Sequence, residues 1–153
     1  MMDLILWRHA EAHVQREGQS DLDRALTSKG ERQAQRMAEW LNRLAHSTRI
    51  LVSPALRAQQ TAQALHKGFK TVEAIGPGGT VEALLKAARW PDGAEPVLVV
   101  GHQPTLGLVA AYVLAGEAQP WAMKKGAVWW LRTRDRDGEA NVVLQAVQAP
   151  DCL

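Results

Sequence analysis

The sequence predicts a three-layer α/β/α sandwich with a mainly parallel sheet and a closing C-terminal hairpin. Three observations lead there. Strand-like and helix-like segments alternate four times along the chain. The strand-like segments are short, continuously apolar runs, which suits strands covered on both faces. Near the end, the Asp-Gly pair of Asp135-Arg136-Asp137-Gly138 separates two further strand-like stretches and signals a hairpin turn. With 153 residues, 46% hydrophobic and 22% charged, the chain has ordinary globular composition, which excludes disordered, collagen-like and low-complexity classes.

In chain order, Asp3–Arg8 is the first strand, apolar through Leu4-Ile5-Leu6-Trp7, and the polar stretch Glu11–Asp23 is a long loop. A helix then opens. Ser28 and Glu31 have capping-box spacing, with Thr27 as the rival cap. Ala34, Met37, Ala38, Leu41, Leu44 and Ala45 recur at helical steps and define its buried face. Ile50-Leu51-Val52 is the second strand, and Ser53-Pro54 is a favourable entry to a helix reaching about His66. Thr71–Ile75 is expected as a third strand, Gly76–Gly79 as a loop, and Thr80–Arg89 as a helix. Val97–Val100 and Thr105–Ala115 complete the alternation, and Gly126–Thr133 with Ala140–Gln148 form the hairpin.

No repeat, linker or compositional break divides the chain, so residues 1–153 are expected to form one domain. Between the second helix and Val97 only about thirty residues remain for a strand, a helix and their loops, which leaves no room for a cap subdomain. Leu4–Trp7 is too short for a signal-peptide core. Pro96–Gly116 has 21 residues without Asp, Glu, Lys or Arg, but Gly101-His102-Gln103-Pro104 in its middle disfavours a membrane span. The single cysteine, Cys152, excludes an internal disulfide and a multi-thiolate zinc site. A reducing, cytoplasmic location is expected. A net charge of +2 is too small to argue for nucleic acid, while a sequence pI near 8.9 suits an anionic substrate.

In open parallel sheets, ligands sit beyond the carboxyl ends of the strands. That rule singles out Arg8-His9, Ser53-Pro54 and Gly101-His102, with Arg57 in the first turn of the helix after Ser53. Two guanidiniums can grip phosphate oxygens through paired N–H donors, and helix N-termini add partial positive charge. An imidazole beside such a cradle can attack phosphorus and form a phosphohistidine, with side chains supplying the cations that a metal otherwise would. No metal or other cofactor is expected.

These residues resemble a known family. Leu6-Trp7-Arg8-His9-Ala10-Glu11 is similar to the Arg-His-Gly-Glu signature of the histidine phosphatase superfamily, the phosphoglycerate-mutase-like proteins. Val52-Ser53-Pro54-Ala55-Leu56-Arg57-Ala58-Gln59-Gln60-Thr61-Ala62 resembles its second arginine motif, and Val99-Val100-Gly101-His102-Gln103-Pro104 its second histidine motif. Leu26-Thr27-Ser28-Lys29-Gly30 resembles its first-helix entry, and the Arg24-Ala25-Leu26-Thr27 run is similar to the SixA-type phosphohistidine phosphatases. The resemblance implies His9 as nucleophile, Arg8 and Arg57 as phosphoryl ligands, His102 as a transition-state hydrogen-bond partner and Arg24 as an additional phosphate ligand. It implies a phosphatase acting on a phosphohistidine-bearing protein or a small phosphorylated substrate, the former favoured, while charge and hydropathy give no nucleic-acid or membrane partner. The alternatives are a small-molecule phosphomonoesterase of the same superfamily and a non-catalytic phosphate-binding module.

Two departures accompany the resemblance. Ala10 replaces the usual glycine, which costs on the order of 1 kcal/mol if the backbone there is left-handed. The general acid of larger members has no clear counterpart, Glu82 and Glu11 being the candidates. Other features have plainer readings. His13, His46 and His66 are expected to be solvated, the six tryptophans to pack the core and sheet, and Lys124-Lys125 to form a solvated turn. His9 and His13 have the spacing of paired helical metal ligands, but the glutamate between them is misplaced for a zinc-protease motif.

Overall fold

The computed structural model describes residues 1–153, the side chains of Arg136 and Ala140 excepted. Its six strands are β1 (Asp3–Arg8), β2 (Arg49–Val52), β3 (Lys70–Thr71), β4 (Val97–Gly101), β5 (Val128–Arg136) and β6 (Glu139–Gln148). Its four α-helices are α1 (Ser28–Trp40), α2 (Leu56–Gln63), α3 (Val81–Ala88) and α4 (Thr105–Ala115). The strands form one sheet in the order β3-β2-β4-β1-β5-β6. β3, β2, β4 and β1 run parallel, and the β5–β6 hairpin adds antiparallel to β1.

Period-two alternation sorts the central strands between two cores. Ile5, Trp7, Leu98, Val100, Ile50 and Val52 face α1 and α2, against Met37, Leu41, Ala58 and Ala62. Leu4, Leu6, Val97, Val99 and Leu51 face α3 and α4, against Leu84, Ala88, Leu106, Val109 and Ala110. Each buried Val, Leu, Ile or Met among them contributes about 1.5–3 kcal/mol. Both faces of the sheet are thereby covered, giving the expected three layers.

Several boundaries differ from the sequence expectation. Thr27 rather than Ser28 caps α1, accepting from the Gly30 N–H at 3.0 Å, so no capping box with Glu31 forms. The helix tightens into a 3-10 turn at Leu41–Arg43, and Ala45 is exposed. α2 starts one turn later than Ser53 and ends at Gln63, because Leu65 turns into the core and His66 is left-handed (φ 53°). Only Lys70–Thr71 of the third strand pairs with β2. Glu73–Ile75 is a 3-10 turn that drops Ile75 into the core beside α3 and α4. The hairpin turn is Asp137-Gly138, both left-handed (φ 54° and 81°), which matches the twist of the flanking strands.

Candidate active site

The sheet order places β4 between β1 and β2, so three segments far apart in sequence end side by side. Arg8 pairs with Gly101, and Trp7 and Val52 flank Val100 in one row. His9 leaves β1 with its N–H donating to Gly101 O at 3.0 Å, and its carbonyl accepts from Gly126 N at 3.0 Å. The next residue is tied to α2: Ala10 N–H donates to Thr61 Oγ1 at 3.0 Å, and that hydroxyl donates to Arg57 O at 2.7 Å. Ala10 is fully buried and has no left-handed φ, so alanine at this position carries none of the feared strain.

Beyond these strand ends lies a cavity of about 310 Å³ lined by Arg8, His9, Arg24, Arg57, His102 and Lys125 among others. All five residues singled out in the sequence, Arg24 included, therefore meet at one place. The two imidazole centroids are 5.2 Å apart. His9 Nδ1 lies 2.7 Å from Ala10 O, an acceptor only, so Nδ1 carries the proton and Nε2 keeps its lone pair. His9 is held neutral: burial, reinforced by the charges of Arg57, Arg8 and Arg24, pushes its pKa down to about 4. Burial, then His9 and the arginines, push His102 down to about 3.

Arg8 Nη1 donates to Met123 O at 2.7 Å. Arg57 donates from both terminal nitrogens to Asp21, at 2.9 Å to the carbonyl and 3.0 Å to Oδ2. Asp21 also accepts from Arg24 Nε at 3.0 Å and so braces two guanidiniums at once. Burial, the largest influence on Asp21, raises its pKa, but the hydrogen bonds and charges of Arg57 and Arg24 together hold it below the usual value. Arg8 Nε, Arg57 Nε and His102 Nδ1 are buried without a protein partner. Buried donors of this kind are costly unless matched, and a group with several acceptor oxygens would match them. The crevice can thus bind an oxyanion and present it to a neutral nitrogen nucleophile.

Neither acid candidate lines this cavity, and no carboxylate is among its lining residues. Glu11 accepts from Thr27 Oγ1 at 2.7 Å, and Glu82 is exposed in the first turn of α3. His13 is exposed in a non-helical segment, which removes the helical metal-pair geometry, and His46 and His66 are exposed as expected. Four side chains at or beside the cavity carry no site role in the sequence reading. Ser53 is singled out by its strand-end position but reads as a helix cap, Asp21 lies in the expected loop, Gln103 stands only as part of the second histidine motif, and Lys125 is exposed in a turn as expected yet lines the cavity. The strand-end position of Ser53 is the usable signal among them.

Fold and crevice together define the class: an α/β/α protein with an arginine- and histidine-lined pocket at the carboxyl ends of its parallel strands. The sequence profile described as histidine phosphatase superfamily (branch 1) matches residues 4–76. Phosphohistidine phosphatase SixA of Escherichia coli is 32% identical over 129 residues, covering 78% of each chain. A SixA homolog of Haemophilus influenzae is 31% identical over 135 residues, covering 78% of this chain and 80% of the other. The solved structure of protein histidine phosphatase SixA complexed with tungstate superposes with a TM-score of 0.80 at 28% identity, over 99% of both chains. The chain belongs to the histidine phosphatase superfamily and is of the SixA type, and its activity class is phosphatase.

Proposed function

We propose that the chain is a metal-independent phosphatase that dephosphorylates protein phosphohistidine through a phosphohistidine intermediate on His9. The observation that carries this reading is the state of His9. It is neutral, with Nδ1–H held by Ala10 O and Nε2 free, inside a cradle of Arg8, Arg24 and Arg57. In the first step the Nε2 lone pair attacks phosphorus, the phosphorus–nitrogen bond of the substrate breaks, and the departing imidazole takes up a proton. In the second step water attacks phosphorus, releasing inorganic phosphate and restoring His9. Arg8 and Arg57 hold the non-bridging oxygens throughout, Arg24 adds a third cation, and His102 stabilises charge in the transition state.

Substrate class follows from the leaving group. An alkoxide needs a positioned acid, worth about 10²–10⁴-fold in rate, whereas imidazole protonates readily, with an ordinary pKa near 6.5. A cavity without a lining carboxylate favours the imidazole. The residues between α2 and β4 are taken up by β3, a 3-10 turn and α3. This supports reading residues 1–153 as a domain without a cap, whose crevice admits a side chain projecting from another protein. The lone, exposed Cys152 fits a reducing cytoplasm, and among the described residues no helix is long and apolar enough to cross a membrane.

The test is kcat/KM for a phosphohistidine-bearing protein against sugar phosphates, with acid-quench trapping of labelled enzyme. Acid-labile, base-stable label on the peptide containing His9, lost in His9→Ala, is expected. Label on serine or aspartate, or a preference for sugar phosphates abolished by Glu82→Gln, would replace this reading with a different nucleophile or a small-molecule phosphomonoesterase.

A further inference from the structure

We infer that Ser53 is a positioning residue that locks His102 in the Nδ1–H tautomer, so that His102 meets the phosphoryl group as a neutral hydrogen-bond donor. The geometry leaves little choice. Ser53 is fully buried at the end of β2, and its Oγ lies 2.7 Å from His102 Nε2. The same Oγ already accepts the Ala55 N–H at 3.1 Å. Among the described residues the hydroxyl hydrogen has no acceptor except His102 Nε2, so Ser53 donates and Nε2 accepts. The ring proton then resides on Nδ1, which is buried and has no protein partner. A second proton on the ring is disfavoured by burial and by His9 and Arg57 nearby.

The two histidines are thereby given opposite faces toward one cavity. Ala10 O takes the Nδ1–H of His9 and leaves Nε2 with its lone pair, while Ser53 fills the Nε2 lone pair of His102 and leaves an Nδ1–H without a protein acceptor. Were His102 the other tautomer, its Nδ1 lone pair would face the phosphoryl oxygens and repel them. Without the Ser53 hydroxyl nothing selects the donor form. This inference rests on the reading of the cavity as a phosphoryl-transfer site. Ser53 itself touches no reacting atom.

The test uses the full chain labelled with ¹⁵N at histidine. Long-range ¹H–¹⁵N spectra near pH 7 should show His102 protonated at Nδ1 in the wild type. Ser53→Ala should move His102 to a mixture dominated by Nε2–H, lower kcat on p-nitrophenyl phosphate by roughly tenfold or more (about 1.4 kcal/mol), and change KM less than threefold. Ser53→Thr, which keeps the hydroxyl, should restore both tautomer and kcat. If Ser53→Ala does not fold, Ser53→Cys, a poorer donor of similar size, reads the same two quantities. An Nε2–H tautomer in the wild type, or unchanged kcat in a folded Ser53→Ala enzyme, overturns the inference. Absence of label on His9 with the predicted tautomer intact would instead overturn the proposed catalytic reading and leave the Ser53–His102 assignment standing.

Discussion

Two buried imidazoles that resist protonation make the protein sensitive to acid in a definable window. In the unfolded chain both titrate near 6.5, whereas in the folded chain His9 titrates near 4 and His102 near 3, chiefly because burial penalises the imidazolium. As pH falls through 6.5, the unfolded state binds protons that the folded state refuses. Their contribution to stability is therefore complete above about pH 6.5 and is lost progressively as pH drops toward 4 and 3. Urea midpoints should decline between about pH 7 and pH 5, and the decline should be shallower in His102→Asn. A midpoint flat over that range would contradict the buried neutral pair. The same shift should keep His9 nucleophilic in mild acid, placing its limb of the kcat/KM profile well below the ordinary imidazole value. The sequence exposed which residues these were, since each follows a strand end. It could not expose their charge state, because burial depends on segments far away in the chain.

Helices act here as platforms against which site-bearing loops are pressed. On α4, a Cβ added to Gly107 would collide with the carbonyl oxygen of Trp121, and on α1 a Cβ at Gly30 would collide with that of Glu11. The Trp121 carbonyl accepts from Gln103 Nε2 at 2.8 Å, and two residues on, Met123 O holds Arg8. Gly107→Ala should cost about 1–3 kcal/mol by overpacking and should also raise KM, because the segment that anchors Arg8 must move. Thermal unfolding with steady-state kinetics checks both, and an alanine variant as stable and active as the wild type would refute the close-contact role. The charge-free apolar run and the strand–helix alternation pointed to a helix over Thr105–Ala115, the bounds α4 takes. They said nothing about a loop carbonyl seated on Gly107. The same limit hid the shortness of the third strand: Thr71–Ile75 reads as strand by composition, but Ile75 is claimed by the core below the sheet.

At the scale of the whole molecule, β1 occupies an inner position of the sheet, and its neighbours β4 and β5 both lie later in the chain. Nothing before Val97 pairs with it. A fragment ending at Pro96 should therefore lack cooperative unfolding even though it contains His9, Arg24 and Arg57. A sharp two-state transition from that fragment would show that β1 can be held without its sheet partners. The alternation of strands and helices was legible from the sequence, while the insertion of β4 between β1 and β2 was not, because strand order depends on which edges the helices leave open. That order has a consequence during synthesis. His9 emerges from the ribosome 93 residues ahead of His102, an interval of roughly 5–20 s at ordinary elongation rates. Throughout it, Leu4-Ile5-Leu6-Trp7, fully buried in the finished fold, lacks both of its sheet neighbours, so the segment that will carry the nucleophile is one a nascent-chain chaperone has reason to shelter.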